Sequence, residues 1–226
     1  MEENCNISKR NFLKGACALG ALSLLPVGTN AVVKKLSNLL VLNKPDEPWK
    51  WSRVADYFIQ TPKGIRCLKC PNECEIKVGE VGDCRTKVNY DGVLYTIAYG
   101  NPCAVHVDPI EKKPLYHFFP GSEAFSIATA GCNLACLNCQ NWTISQVSPK
   151  ETRNYDLMPD KTVEMCLQEN CKSIAYTYSD PVAFYEYTLD TAKIARAKGV
   201  KNVIVSAGYI YEKPLREWCK YVEVLK

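Results

Sequence analysis

The sequence predicts an α/β protein in which parallel βαβ units follow a small cysteine-rich region containing β structure. Three observations predict it. From residue 124 onward, strand-length apolar runs alternate with stretches of helical period, the pattern of parallel units joined by right-handed crossovers. Between Cys67 and Tyr99 the texture is short and alternating. The thirteen cysteines of the 226-residue chain gather at close spacing instead of spreading along it.

The N-terminal stretch "SKRNFLKGACALGALSLLPVG" has a basic pair, Lys9 and Arg10, before an apolar run from Ala16 to Val27. The run is too short and too rich in small residues for a comfortable bilayer span. It resembles a twin-arginine export signal, with lysine in place of the first arginine. Export or tethering through this leader is therefore expected, with a cytoplasmic location as the alternative. Residues 1–45 are set aside as leader and linker, and the proline-bearing "NKPDEPW" over residues 43–49 reads as linker. Residues 1–43 carry a net charge of +3 and the remainder +1. So neutral a body gives no electrostatic case for nucleic-acid binding, and membrane contact is expected only through the leader.

Residues 46–122 are expected to form the cysteine-rich region. In "CRTKVNYDGVLYTIAYG" two alternating runs flank Asp91-Gly92, a hairpin signal because the turn needs positive φ. Prolines 102, 109, 114 and 120 make residues 101–124 read as a connector. Residues 123–226 are expected to form the α/β core. "AFSIATA", "KSIAYTY" and "VKNVIVSAG" are its strands. "PDKTVEMCLQENC" is a helix with Pro159 in its first turn and Val163, Cys166 and Leu167 on one face. "PVAFYEYTLDTAKIARAKG" is a second helix, striped by Val182, Tyr185, Leu189 and Ala192 and stopped by Gly199. "KPLREWCKY" begins a third. Chemistry in such sheets collects at the carboxyl ends of strands.

Two cysteine groups carry the candidate chemistry. Cys132-x3-Cys136-x2-Cys139 follows the first core strand. Thiolates suit zinc and iron–sulfur clusters. Closed zinc sites take four ligands, whereas a four-iron cluster held by three cysteines keeps one iron open. Cys67-x2-Cys70-x3-Cys74-x9-Cys84 supplies four ligands, for a zinc ion or an auxiliary iron–sulfur cluster. Cys103 could replace one of them. Burial suffices for Cys166, Cys171 and Cys219. His106 and His117 flank "VDPIEKKPLY", read as a surface hairpin or, more sharply, as a segment that puts Asp108, Lys112, Lys113 and His117 at a cavity rim.

"GCNLACLNCQNW" has the cysteine spacing of radical S-adenosylmethionine enzymes. From about Cys67 to Tyr209 the chain resembles the radical enzymes of the AmmeMemoRadiSam system, relatives of pyruvate formate-lyase activating enzymes. The resemblance implies a partial (β/α) barrel, of which about three βα units are present, as if truncated. It implies a 4Fe-4S cluster on Cys132, Cys136 and Cys139 that cleaves S-adenosylmethionine reductively. It also implies cofactor contacts at Asn138, Gln140, Asn141, Asp180 and Gly208. Three positions depart from the pattern: Asn138 stands where an aromatic is usual, Asp180-Pro181 where Glu-Pro is usual, and Ala207 where asparagine is usual. The partners implied are a flavodoxin- or ferredoxin-like electron donor and either a protein substrate or Memo-type and Amme-type proteins. A non-catalytic iron–sulfur or zinc module is the competing expectation.

Overall fold

The structure, a computed structural model, describes residues 48–226; the leader and most of the linker lie outside the described residues. Two small antiparallel sheets come first. Strands β2 (Phe58–Thr61), β3 (Gly64–Cys67) and β4 (Glu75–Ile76) form one. Strands β1 (Arg53–Val54), β6 (Val93–Thr96) and β5 (Lys87–Tyr90) form the other. The expected hairpin joins β5 to β6: Tyr90 pairs with Val93, and Asp91 and Gly92 both have positive φ, +47° and +84°. That is the primed turn whose twist matches the flanking strands.

The main sheet has five strands in the order β11-β10-β9-β8-β7. Strand β7 (Ala104–Pro109) runs antiparallel to β8 (Glu123–Ala128) over six residue pairs. This corrects the expected connector over residues 101–124. The prolines misled because β7 is an edge strand, where a missing N–H costs no ladder bond, and Pro109 is its last residue. Strands β8, β9 (Ser173–Tyr176), β10 (Lys201–Ile204) and the two-residue β11 (Val224–Leu225) are parallel. The "YVEVLK" end thus adds a fourth parallel strand to the three expected. Their order runs without reversal, so the sheet is singly wound and lacks the switch point of doubly wound folds.

Four helices connect these strands: α1 (Trp142–Ser145), α2 (Pro159–Gln168), α3 (Tyr185–Ala197) and α4 (Glu212–Trp218). The strand period of two divides the sheet faces. Phe125, Ile127, Ile174, Tyr176 and Ile204 pack with Val163 and Cys166 of α2 and with Tyr185, Leu189 and Ala192 of α3. Ala124, Ala175 and Val203 point to the other face, against Ile110, Leu115 and Phe118. Two helix details differ from the sequence reading. Leu167 is exposed, and buried Thr162 takes its place beside Val163 and Cys166. Helix α3 begins at Tyr185, after a turn over residues 181–184 that buries Val182, and Gly199 ends it with φ +79°.

Helix α3 is buried nearly all round, and Glu186 is one of its fully buried residues. Its Oε1 accepts from Lys69 Nζ at 2.7 Å and from the Asp56 N–H at 3.0 Å; its Oε2 lies 3.2 Å from Lys87 Nζ. Lys87 also donates to the Ala183 carbonyl at 2.8 Å. Burial alone would raise the carboxyl pKa, but the two lysines outweigh it and hold Glu186 down to about 2. Burial wins at Lys69, whose pKa is lowered; at Lys87 the surrounding negative groups overcome burial and raise it. A second ion cluster closes the β7–β8 edge: Asp108 accepts from Lys112 at 2.6 Å, from buried Lys113 at 2.7 Å and from the Tyr178 hydroxyl. Burial works against the Asp108 carboxylate, but these three donors push its pKa well below the usual range.

Two outcomes are expected. Glu186→Gln keeps the volume but strands two buried ammonium groups, and should destabilise the chain by about 3–5 kcal/mol in denaturant unfolding. A loss under about 1 kcal/mol would show that the lysines find other partners. Asp108 has a depressed folded pKa, so its contribution is fully present above the ordinary carboxylate pKa of about 4 and fades as pH falls below it. Thermal unfolding scanned downward from pH 6 should show a stability loss beginning near pH 4 that is shallower in Asp108→Asn.

Candidate metal centre

The loop between β8 and α1 carries Cys132, Cys136 and Cys139. Its start is fixed by Gly131, with φ +93°, whose absent Cβ would stand 2.4 Å from the Cys84 carbonyl oxygen and 2.5 Å from Thr86 Cγ2. The loop is closed on itself. Gly131 N–H donates to the Ile144 carbonyl at 2.8 Å, and Gln146 Nε2 to the Leu134 carbonyl at 3.0 Å. Asn133 Nδ2 donates to the Tyr209 carbonyl at 2.9 Å, and Asn141 Nδ2 to the Tyr178 carbonyl at 3.0 Å. The loop is therefore tied to the exits of both β9 and β10.

A cleft of about 560 Å³ opens at these exits. Cys132, Cys136 and Cys139 line it with Gln140, Asn141, Tyr178, Asp180, Ser206 and the lysine pair Lys112 and Lys113. That volume is in the range of small-molecule sites. The structure thus brings Gln140, Asn141 and Asp180 to the three cysteines. Asn138 and Gly208 are exposed and stand outside the cleft lining. Cys132 is buried, Cys139 half-buried and Cys136 exposed. Burial raises the Cys132 thiol. Cys139 Sγ is 3.3 Å from Ser145 Oγ.

Asp180 has both oxygens engaged by its own chain. Oδ1 accepts from the Val182 N–H (3.0 Å) and Ser206 Oγ (3.0 Å); Oδ2 accepts from Ser206 Oγ (3.1 Å) and the Ala207 N–H (2.9 Å). Three donors thus hold the carboxylate, with the single Ser206 hydroxyl hydrogen shared between its two oxygens. The aspartate clamps the exit of β9 to that of β10. Tyr178, two residues earlier, holds φ +66° and its ring meets His106 edge-on at 5.8 Å. A bulky residue in that region is strained, a state that persists where surrounding bonds over-determine it. Lys112 and Lys113 are on the cleft wall, as the sharper rim reading expects; His117 is exposed and outside the lining.

The second thiol set lines a separate, much smaller cavity of about 20 Å³. Cys67, Cys70, Cys74 and Cys84 surround it, with Lys69, Lys87 and Asn133. Burial pushes Cys67 up to about 11 and Cys74 up to about 12, and raises Cys70. Cys103 is away from this set and directs its thiol at the Ala128 carbonyl, 3.7 Å off. Among the described residues no three His, Cys, Asp or Glu side chains already converge as a metal cage. All the described cysteines are free thiols, and a thiol set draws together only on the ion it binds, at about 2.3 Å per zinc–sulfur bond. Sequence reasoning missed Ser145, Tyr178 and Ser206 in the cleft, and Lys69 and Lys87 beside the small cavity. The run "TYSD" at the exit of β9 was the available signal for Tyr178.

Residues 120–226 match the family model described as a 4Fe-4S single cluster domain. An uncharacterised protein of Methanocaldococcus jannaschii is 47 % identical over 152 residues, which make up 67 % of this chain and 46 % of the relative. The chain thus spans about half the length of the curated relative it matches. The matched stretch contains Cys132, Cys136 and Cys139 and excludes the second cysteine group, so a 4Fe-4S binding domain is supported for residues 120–226.

Proposed function

We propose that this chain is a radical S-adenosylmethionine enzyme whose cluster loop is Cys132, Cys136 and Cys139. The observation that carries the reading is one cleft that presents three thiols and leaves room beside them at the carboxyl ends of parallel strands. Three ligands leave a four-iron cluster one open corner, and the cleft exceeds what a cluster alone needs. When bound, such a cluster would supply one electron to the sulfonium of S-adenosylmethionine, releasing methionine and a 5′-deoxyadenosyl radical for hydrogen abstraction.

The chain's own residues would position these partners. Asn141 holds the cluster loop to the Tyr178 carbonyl. Gln140 faces the cleft and can donate to a bound ligand. Asp180 acts as a positioning residue, since both its oxygens are held by Ser206, Ala207 and Val182. It sets where the two strand exits meet the ligand. Lys112 and Lys113 share one carboxylate, Asp108, which leaves one net positive charge on the cleft lining, suited to a carboxylate or other anionic group. A flavodoxin- or ferredoxin-like reductant, a protein substrate or Memo-type and Amme-type partners, and a leader-dependent location complete the proposal.

The decisive experiment is anaerobic reconstitution with iron and sulfide, then dithionite and S-adenosylmethionine. The full chain should release 5′-deoxyadenosine, and Cys136→Ala should release none above background. A cluster-loaded chain that forms no 5′-deoxyadenosine would instead be the non-catalytic iron–sulfur module. Asp180→Asn should keep its iron content yet lower the rate roughly 10- to 100-fold, the usual effect of disturbing a group that orients ligands. An unchanged rate would remove Asp180 from the site.

A further inference from the structure

The structure assigns Cys67, Cys70, Cys74 and Cys84 to a single tetrahedral divalent ion of the zinc class, held apart from the three-cysteine loop. The first argument is size. The cavity between the four thiols measures about 20 Å³, little more than one water-sized probe needs. A single ion at zinc–sulfur distance fits there with small side-chain movements. A four-iron cube, with eight core atoms, needs the walls to part. The inner walls include buried Ile76, Lys69 and Lys87, and packed core gives little way, while the outer side is formed by the two turns that carry Cys74 and Cys84.

The second argument is local geometry. Cys67 ends β3, and its N–H donates to the Cys74 carbonyl at 3.1 Å; the Glu73 N–H donates to the Cys70 carbonyl at 3.2 Å, with Glu73 at φ +45°. This tight turn sets Cys67, Cys70 and Cys74 on the lining of the one small cavity. Cys84 comes from a second turn, closed by Arg85 N–H to the Gly82 carbonyl at 2.8 Å. Gly82 lies against Cys74, where a Cβ would sit 3.7 Å from the sulfur and 3.0 Å from Ile76 Cδ1. Thr86 Oγ1 donates to the Ala183 carbonyl at 2.7 Å and stands 3.1 Å from Cys84 Sγ, which fixes the second turn against the segment that leads into α3.

The third argument is charge. Lys69 and Lys87 line the cavity and share one carboxylate, Glu186. With neutral thiols one positive charge in that buried group has no counterpart, which is costly. Four thiolates around a divalent ion carry two negative charges, which offset that single surplus charge and exceed it by one. The ion would also brace the three-cysteine loop. Asn72, beside Cys70, donates to the Asn133 carbonyl at 3.0 Å, and Gly131 packs on the Cys84 carbonyl.

The test isolates this site in the full chain by Cys132→Ala, Cys136→Ala and Cys139→Ala together. The purified variant should hold about one zinc per chain, without iron or acid-labile sulfide. Exchange with Co²⁺ should give thiolate charge-transfer and tetrahedral ligand-field bands, and adding Cys74→Ser should abolish them. Zinc-edge X-ray absorption of the unmutated chain needs no variant, and should show four sulfur neighbours at about 2.3 Å. Iron with sulfide in the triple variant, or a zinc shell with nitrogen or oxygen neighbours, or no bound metal, each overturns the assignment. The 5′-deoxyadenosine assay is independent: its failure would leave a four-sulfur zinc site standing, and the reverse.

Discussion

Glu186 stays ionised in a fully buried position only because two lysines from outside its own helix reach it. Lys69 comes from the turn of the four-cysteine set, Lys87 from the first residue of β5, and the Asp56 N–H from the segment after β1. All three belong to the small antiparallel sheets, whereas Glu186 belongs to the first turn of α3. One carboxylate thus fixes the cysteine-rich region to the parallel sheet. A buried ion pair is a weak source of net stability, because desolvation offsets most of the attraction. It is a strong source of uniqueness, because any other placement leaves a charge unpaired.

The same alignment determines the cleft. With the small sheets docked this way, the Cys84 carbonyl presses on Gly131 and fixes where the cluster loop leaves β8. Asn141 then ties the far end of that loop to Tyr178. Tyr178 in turn donates to Asp108, and Asp180 clamps the next strand exit. The chain of bonds runs from a structural ion cluster to the mouth of the site with no gap longer than one residue pair. Precision at a reactive centre comes from such support, since the loop itself is short, polar and half exposed.

The sequence disclosed local periodicity and hid long-range pairing. The Asp91-Gly92 hairpin, the first three parallel strands and both long helices were legible, because each shows its own period or turn chemistry. Strand β7 was not, since two prolines bracket it and only its edge position excuses them. Nothing local distinguishes Glu186 from a solvent-facing glutamate, and its stripe neighbours Tyr185 and Leu189 pointed elsewhere. Its partners lie 117 and 99 residues away in sequence. The cysteine sets were legible as sets, because metal ligation needs donors close in sequence. Which cleft residues joined them was legible only in part. Gln140 and Asn141 are loop neighbours of Cys139, whereas Ser206 arrives through Asp180 alone.

The two thiol sets differ in volume, and volume separates their chemistry. Three cysteines on a cleft of about 560 Å³ leave room for a substrate-sized ligand beside whatever they hold. Four cysteines around about 20 Å³ leave room for nothing else. A closed, four-ligand centre has no open position and so no reaction to perform; its effect is to rigidify. An open, three-ligand centre has the opposite character, and needs rigid surroundings to keep a reactive ligand in one pose. The chain places the closed set directly behind the open one, with Asn133 and Gly131 as the contacts between them. That arrangement sets the stiff element against the loop whose position matters most.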